Sequence, residues 1–314
     1  MSTSNRRCLT IGCLLACLAA AFLFLCGCNR GSAEGSTSPA LDVSPKFAYS
    51  IPVPRAVPQG IALYSGRIYL SYNNVNMIDV FDQQGVMVDS FIPFPGPEAN
   101  PVSMTADGTG KIYIADSLNR IVLVFNGGKF LYPFPQKKVA AQEESFIHIP
   151  YALATRDRLV FVVDIGDNTV KVFLDNGEPL MVIGESADHK QITQPRAIAL
   201  CSDGRSLISD IDLKTVAVHD CSGKFAHYFG RTKWSEMTLP ISLQIDGLGR
   251  VHVADGLKHR IAVYDNYGRP LFEYGEFGEK PWQMAFPRGI AVDSETRKIF
   301  ICDSGNSQVD VWQY

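Results

Sequence analysis

Six prolines, at positions 58, 101, 150, 195, 240 and 287, are each followed by a short apolar run, at intervals of 43, 49, 45, 45 and 47 residues. Self-similarity at a period of this size marks a repeat architecture. The runs read QGIALY, VSMTA, YALAT, RAIALC, ISLQID and RGIAVD. A second run in each copy ends in an acid, at Asp116, Asp164, Asp210, Asp255 and Asp303, with Tyr72 at that place in the first copy. A third run follows (MIDVF, IVLVF, VKVF, VAVH, IAVY, VDVW), and a fourth begins beyond a turn such as DNGE, CSGK or NYGR.

Runs of four to six residues rich in Ile, Val, Phe and Tyr, bounded by Gly, Asn and Asp, are too short for helices and carry the branching that strands favour. Four in succession make an antiparallel meander. One such sheet cannot bury both of its faces alone, so neighbours must stack, and closure into a ring removes most exposed edges. The sixth copy reaches Tyr314 after three runs. The pattern predicts that KFAYSIPV, residues 46–53, supplies its fourth strand and joins the two ends of the chain in one blade. The fold class expected is all-β, a six-bladed β-propeller.

Two stretches, PRGIAV…IFICDSGNSQVDVW and PVSMTADGTGKIYIADSLNRIVLVF, closely resemble NHL repeats, and the resemblance covers residues 46–314. It implies a six-bladed β-propeller, in agreement with the six copies. The first copy departs from the pattern in lacking the acid, and the fourth is weaker beyond Asp210.

The recurring acid is expected to be structural. An Asp at a strand end, before SLN or SGN, accepts hydrogen bonds from turn amides and pins the hairpin. Residues present in every copy build a repeat, and function sits where copies differ. The residue after each proline differs: Gln59, Val102, Tyr151, Arg196, Ile241 and Arg288. These are expected to ring the mouth of a central tunnel, with Gln59, Tyr151, Arg196 and Arg288 as candidate ligand or partner contacts. The same face should gather Lys137, Lys138, Lys190, Arg231, Lys258, His259, Arg260 and Lys280, together with Trp234 and Trp282 in equivalent loops. Trp and Arg are common anchors at binding faces, although loop Trp residues also cover gaps between blades. The insertion FPQKKVAAQEESFIHI, 134–149, belongs to that face as a specificity loop or a lid over the core. The opposite face collects Asp82, Asp107, Asp157, Asp175, Asp203, Asp220, Asp246, Asp265 and Asp293, as turn chemistry or as an acidic surface.

The first residues obey a different logic. Arg6 and Arg7 precede the apolar run CLTIGCLLACLAAAFLFL, a basic patch and hydrophobic region of secretory type. The end of that run, Leu25-Cys26-Gly27-Cys28, resembles the lipobox of bacterial lipoproteins, with Cys26 where Ala or Ser is usual. The resemblance implies cleavage before Cys28, a diacylglycerol on its thiol and anchoring at a bacterial membrane. Asn29 stands where Asp would direct retention, which points to the outer membrane where a cell has two. A plain signal peptide or an uncleaved anchor helix are the alternatives. The domains expected are a signal peptide at 1–27, a Gly/Ser/Pro-rich tether at 28–45 and the propeller at 46–314.

Formal charge is −3, and without Arg6 and Arg7 it is −5, from 27 Lys/Arg against 32 Asp/Glu. Such a chain is not expected to bind nucleic acid, where affinity comes mostly from phosphate neutralisation. Some six-bladed propellers, lactonases and an amidating lyase that resembles NHL domains, are enzymes with a tunnel metal held by three or four ligands. The six tunnel-entry residues here include no His and no carboxylate, and the histidines at 148, 189, 219, 227, 252 and 259 share no phase. No catalytic residue, metal or cofactor is expected. A lipid-anchored scaffold at the cell envelope, binding another envelope protein or an anionic ligand, is the leading function, and a lyase- or lactonase-like enzyme the alternative. Cys201 and Cys221 stand two strands apart, roughly 9.5 Å, so a bridge forms only if their turns curl together.

Overall fold

The computed structural model describes residues 43–96, 98–135, 146–184, 191–232 and 236–314. The signal segment, Cys28 and most of the tether lie outside the described residues, as do Lys137, Lys138, His189, Lys190 and Trp234. The described residues form six four-stranded antiparallel sheets and no helix, arranged as a six-bladed β-propeller. Each of the six prolines is the first residue of an innermost strand: Pro58–Tyr64, Pro101–Ala106, Pro150–Arg156, Pro195–Leu200, Pro240–Ile245 and Pro287–Asp293. A first strand position on a sheet edge is where a residue without an N–H costs the ladder little.

Alternation along each strand sends side chains to two different neighbours. In Lys111–Asp116, Ile112 and Ile114 pack toward the first blade while Tyr113 and Ala115 pack toward the third. The core is accordingly six clusters, one in each gap between adjacent blades. Strands buried on both faces read as nearly continuous apolar runs, which is why LVFVVD and KIFICD carry so few polar residues. The last gap is closed by Lys46–Pro52, paired antiparallel with Gln308–Gln313 from Lys46 opposite Gln313 to Pro52 opposite Gln308. Inserted residues at 134 and 146–147 join the packing between the second and third blades, where Phe134 and Ile147 are buried and Phe146 stacks on Phe173.

The recurring acids are fully buried, and each accepts from the connection entering its blade, four of them also from the turn at their own strand end. Asp116 accepts from the amides of Asn100, Leu118 and Asn119, and Asp164 from those of His148, Ile149 and Gly166. Asp210 accepts from Thr193, Gln194, Asp212 and Leu213, and Asp255 from Thr238 and Leu239. Asp303 accepts from the Ala285 amide and from Asn306. In the first blade the carboxylate has moved one strand outward: the Tyr72 hydroxyl donates to Asp79, which also takes Arg55 and Ser90.

The opposite face is built from Asp turns. Asp82, Asp107, Asp220, Asp246 and Asp265 each accept from the amides two and four residues on. Asp175, Asp203, Asp246 and Asp265 are ion-paired with Arg158, Arg205, Arg250 and Arg269 at 2.6 to 3.2 Å. These aspartates therefore do not add up to a free acidic surface. Cys201 is a free, buried cysteine whose thiol burial pushes up to about 11, so it makes no bridge to Cys221.

Two measurements follow from this wiring. Asp255→Ala leaves two partly buried amides without acceptors and is expected to cost on the order of 3 kcal/mol in urea unfolding, against less than about 1 kcal/mol for Asp203→Ala on the exposed turn. At the ring closure, Asp310 is buried, accepts from Ser50 of the N-terminal strand at 2.7 Å, and has an Oδ2 that meets no donor. Burial, with Asp303 beside it, raises its pKa from 3.8 to about 7. The folded state thus holds a proton that the unfolded chain has released, so the contribution of this group to stability is full below about pH 4 and is lost as pH rises from there through 7, by up to about 1.4 kcal/mol per unit. Asp310→Asn should flatten that part of the pH–stability curve.

Candidate functional site

Each inner strand is an edge strand of its sheet, so six unpaired edges face the axis and present backbone N–H and C=O groups to a central cavity of about 260 Å³. The second residue after each proline sets the bore. Gly60, Ser103, Ala152, Ala197, Ser242 and Gly289 occupy it, all small, and all six line the cavity. A Cβ at Gly289 would fall 2.5 Å from the Gln59 carbonyl oxygen, and one at Gly60 would fall 3.1 Å from that of Val102. The neighbouring inner strand approaches too closely at Gly289 for a side chain, and at Gly60 the Ser71 hydroxyl, 2.6 Å from such a Cβ, adds to the crowding. The small-residue ring was present in the sequence and legible once the copies are aligned on proline.

The structure brings together all six residues that follow the prolines. Gln59, Val102, Tyr151, Arg196, Ile241 and Arg288 line the cavity, with Ile211 and Leu239 from the loops at its mouth. The Arg196 guanidinium lies over the Tyr151 ring, 4.9 Å from its centroid, and donates to the Pro195 carbonyl at 3.0 Å, which fixes its position. Among the described residues, neither Arg196 nor Arg288 has an acidic partner within 4 Å. Gln59 is 7% exposed, and its Oε1 meets no donor. The lining holds no carboxylate and no histidine. Two cations over an apolar wall, with no counter-charge, make the cavity mouth electropositive in a place that water only partly screens.

Trp282 does not line this cavity. It is exposed on the loop leading to Pro287, beside a groove of about 630 Å³ formed by Phe277, Glu279, Lys280, Gln283 and Phe286. His259 stacks between Phe277 and Phe286, at 4.7 and 4.5 Å, and accepts from the Phe286 amide. Lys258 and Arg260 are occupied by the Glu236 carbonyl, and Arg260 also by Glu273.

One cluster of ligand-type side chains was not anticipated. His148, Asp164 and Asp167 present atoms within 4.8 Å of one another. The Lys171 ammonium stands among them, 2.6 Å from Asp164, 2.7 Å from Asp167 and 3.1 Å from His148 Nδ1, with the Phe146 ring on its open side. Burial pushes the Asp164 carboxyl up, but Lys171 and the His148 and Ile149 amides outweigh it and hold it below the usual range. The chain's own cation therefore fills the position a metal would take. Lys171 is equivalent by register to Asp79, Leu123, Ala217, Ala262 and Asp310. Charge at this third-strand place varies from blade to blade, and inside VKVF only the register reveals its partners.

No family model matches the sequence. A stretch of 78 residues is 28% identical to the protein brain tumor of Drosophila melanogaster, spanning 24% of this chain and 8% of that protein's length. The fold is similar to virginiamycin B lyase from Staphylococcus aureus, at a TM-score of 0.60 and 13% identity over 86% of this chain and all of that one. It is also similar to a gluconolactonase from Xanthomonas campestris, at a TM-score of 0.64 and 13% identity over 86% of this chain and 94% of that one. At such identity these likenesses are of fold.

If the small ring sets the bore, Gly289→Ala should destabilise the protein by about 1–3 kcal/mol through backbone displacement. Ala197→Gly, at the equivalent place in another blade, should cost about 1 kcal/mol or less. Urea midpoints of the two variants check the difference.

Proposed function

We propose that this protein is a binding module of NHL-repeat type, exported and lipid-anchored through Cys28 at a bacterial envelope, that receives an anionic group in the mouth of its central cavity. The observation that carries the reading is the pair Arg196 and Arg288 on one cavity whose lining includes no acid. Arginine offers fixed forks of donors suited to carboxylate or phosphate. Tyr151 holds one of those forks in place before a ligand arrives, which lowers the ordering cost of binding. The free N–H groups on the edges of the inner strands supply further donors, while Val102, Ile241 and Leu239 exclude water from the ion pair. The anionic group belongs to a free ligand or to an envelope protein that also meets the exposed Trp282, Phe277 and Phe286.

The fold shared with a lyase and a lactonase favours a second reading, an enzyme acting at the same mouth. Its lining offers Tyr151 as the one titratable side chain besides the two arginines, so this reading needs a base or a metal that those residues do not supply.

Inorganic phosphate and citrate serve as probes by calorimetry and thermal melting. Saturable binding is expected, weakened by at least about 100-fold by Arg196→Gln with Arg288→Gln, since each charge-assisted contact contributes about 1.5–3 kcal/mol. The melting temperature without anion should be unchanged. A full-length protein indifferent to both anions overturns the binding reading, and metal-dependent turnover of lactones lost in the same double variant would establish the enzyme instead.

A further inference from the structure

The connection into the last blade carries an extra residue between its anchor and the proline. In four blades the residue directly before the inner-strand proline is tied down twice. The amides of Asn100, Ile149, Gln194 and Leu239 donate to the buried acid of their blade, and their carbonyls accept from Ser117, Ile165, Ile211 and Gly256. In the last blade Ala285 makes both bonds, to Asp303 and from Gly305, which leaves Phe286 as the extra residue before Pro287. Phe286 stands at a φ of 51°, a left-handed backbone that strains a bulky residue. Its amide donates to His259 Nδ1 at 3.0 Å, and its ring, 46% exposed, stacks on that imidazole.

The strain thus holds a large apolar ring half in water, an arrangement that marks binding sites rather than frames. Leu257, Phe277 and Trp282 are exposed on the same face, and Phe277 and Phe286 flank the groove of about 630 Å³. That groove adjoins the central cavity. Phe286 belongs to the groove and Arg288 to the cavity, and their Cα atoms are at most about 7 Å apart. Gly256 borders the same rim, where a Cβ would fall 3.1 Å from Ile241 Cδ1 in the cavity wall and 3.6 Å from the Pro287 carbonyl oxygen. It adds no side chain to the divide.

We propose that cavity and groove form one site for the C-terminus of an extended polypeptide, with its carboxylate on Arg196 and Arg288 and the apolar side chains just before it on Phe286 and Phe277. The proposal rests on the reading of the cavity mouth as an anion site and adds what carries the anion. Two guanidinium groups on a lining without acid match a carboxylate in charge and in geometry. A cavity of about 260 Å³ takes the end of a chain, whereas a loop carrying an acidic side chain needs room for two backbones about 4.8 Å apart. At about 3.3 Å per residue, a carboxylate held by Arg288 brings the last side chain or the one before it over Phe286. Glu279, Lys280 and Gln283 stand among the rings of the groove, and a hydrocarbon chain would desolvate them without offering a partner, which a peptide backbone supplies. Capture of a chain terminus is a recurring mode of peptide recognition.

The test uses the full-length protein in detergent, immobilised through a C-terminal tag, and a pool of acetylated pentapeptides. Their last three positions vary among apolar residues and serine, and each sequence is present as free acid and as C-terminal amide. Retained peptides, read by mass spectrometry, should be free acids over amides by at least about 10-fold, with apolar residues favoured over serine in the last two positions. Arg196→Gln with Arg288→Gln should remove the preference for the acid. Glycine suits the left-handed backbone, so Phe286→Gly should melt no lower than the parent, yet lose the apolar preference. Phe277→Ser, at a side chain 66% exposed, should weaken that preference in the same direction. Equal retention of acids and amides, no apolar preference, or a preference that survives both groove variants overturns the proposal. A lower melting temperature for Phe286→Gly would show that the ring serves the fold, and decanoate bound more tightly than any retained peptide would place a fatty acid in the groove; either overturns it too. Binding of inorganic phosphate with no peptide retained overturns the proposal and leaves the anion site standing, whereas indifference to phosphate, citrate and peptides alike removes both.

Discussion

A blade of this protein has two apolar faces and no means of covering either, so each sheet is stable only between two others. Ile112 and Ile114 bury against one neighbour and Tyr113 and Ala115 against the next, and that division repeats around all six gaps. The chain must therefore close on itself, and it does so by lending Lys46–Pro52 to the sheet that ends at Tyr314. Closure joins residues more than 250 positions apart, as in the Ser50–Asp310 hydrogen bond, so the ring cannot be completed until both ends are present. Such distant pairing carries the loop-closure cost that makes non-local topologies slow to form.

Closure also creates the site. Six inner strands pressed together by their neighbours leave edge groups facing inward, and Gly60 and Gly289 permit an approach that a methyl group would block. The buried acids at the second-strand ends hold the entering loops against the turns, so the residues that follow the prolines are presented from a rigid rim. Arg196 and Arg288 can then remain without counter-ions at modest cost, because they sit at the mouth, partly in water, rather than in the gaps between blades. Where a charge does lie in the interior it is answered at once, as Lys171 is by Asp164 and Asp167, or Arg250 by Asp246.

Much of the frame is legible from residue types alone. Proline at a strand start, Asp at a strand end and Asp-x-x-Gly turns each have a local physical cause, and the aligned copies reveal strand starts that the structure reproduces at every inner strand. The mouth residues are legible for the same reason, since their place follows from the proline. Trp282 illustrates the limit of such alignment: a loop position predicts a face but not a pocket, and the side chain lies outside the central cavity. The aspartates of the hairpin face read in isolation as acidity, yet arginines two or four residues on in the same turns, and one across a hairpin, answer several of them.

From the amino acids by themselves came the number of blades, the order of strands, the strand that closes the ring and the faces on which loops fall, because each depends on short-range periodicity. Tertiary structure decided which charges meet. Asp79, Lys171 and Asp310 share one register position in three blades, and their partners range from the adjacent turn, for Lys171, to strands and loops far along the chain, for Asp79 and Asp310. It also decided that Val43 is held by Arg250 at the face opposite the mouth, because a carbonyl has no sequence signature and only packing determines which one a buried guanidinium reaches.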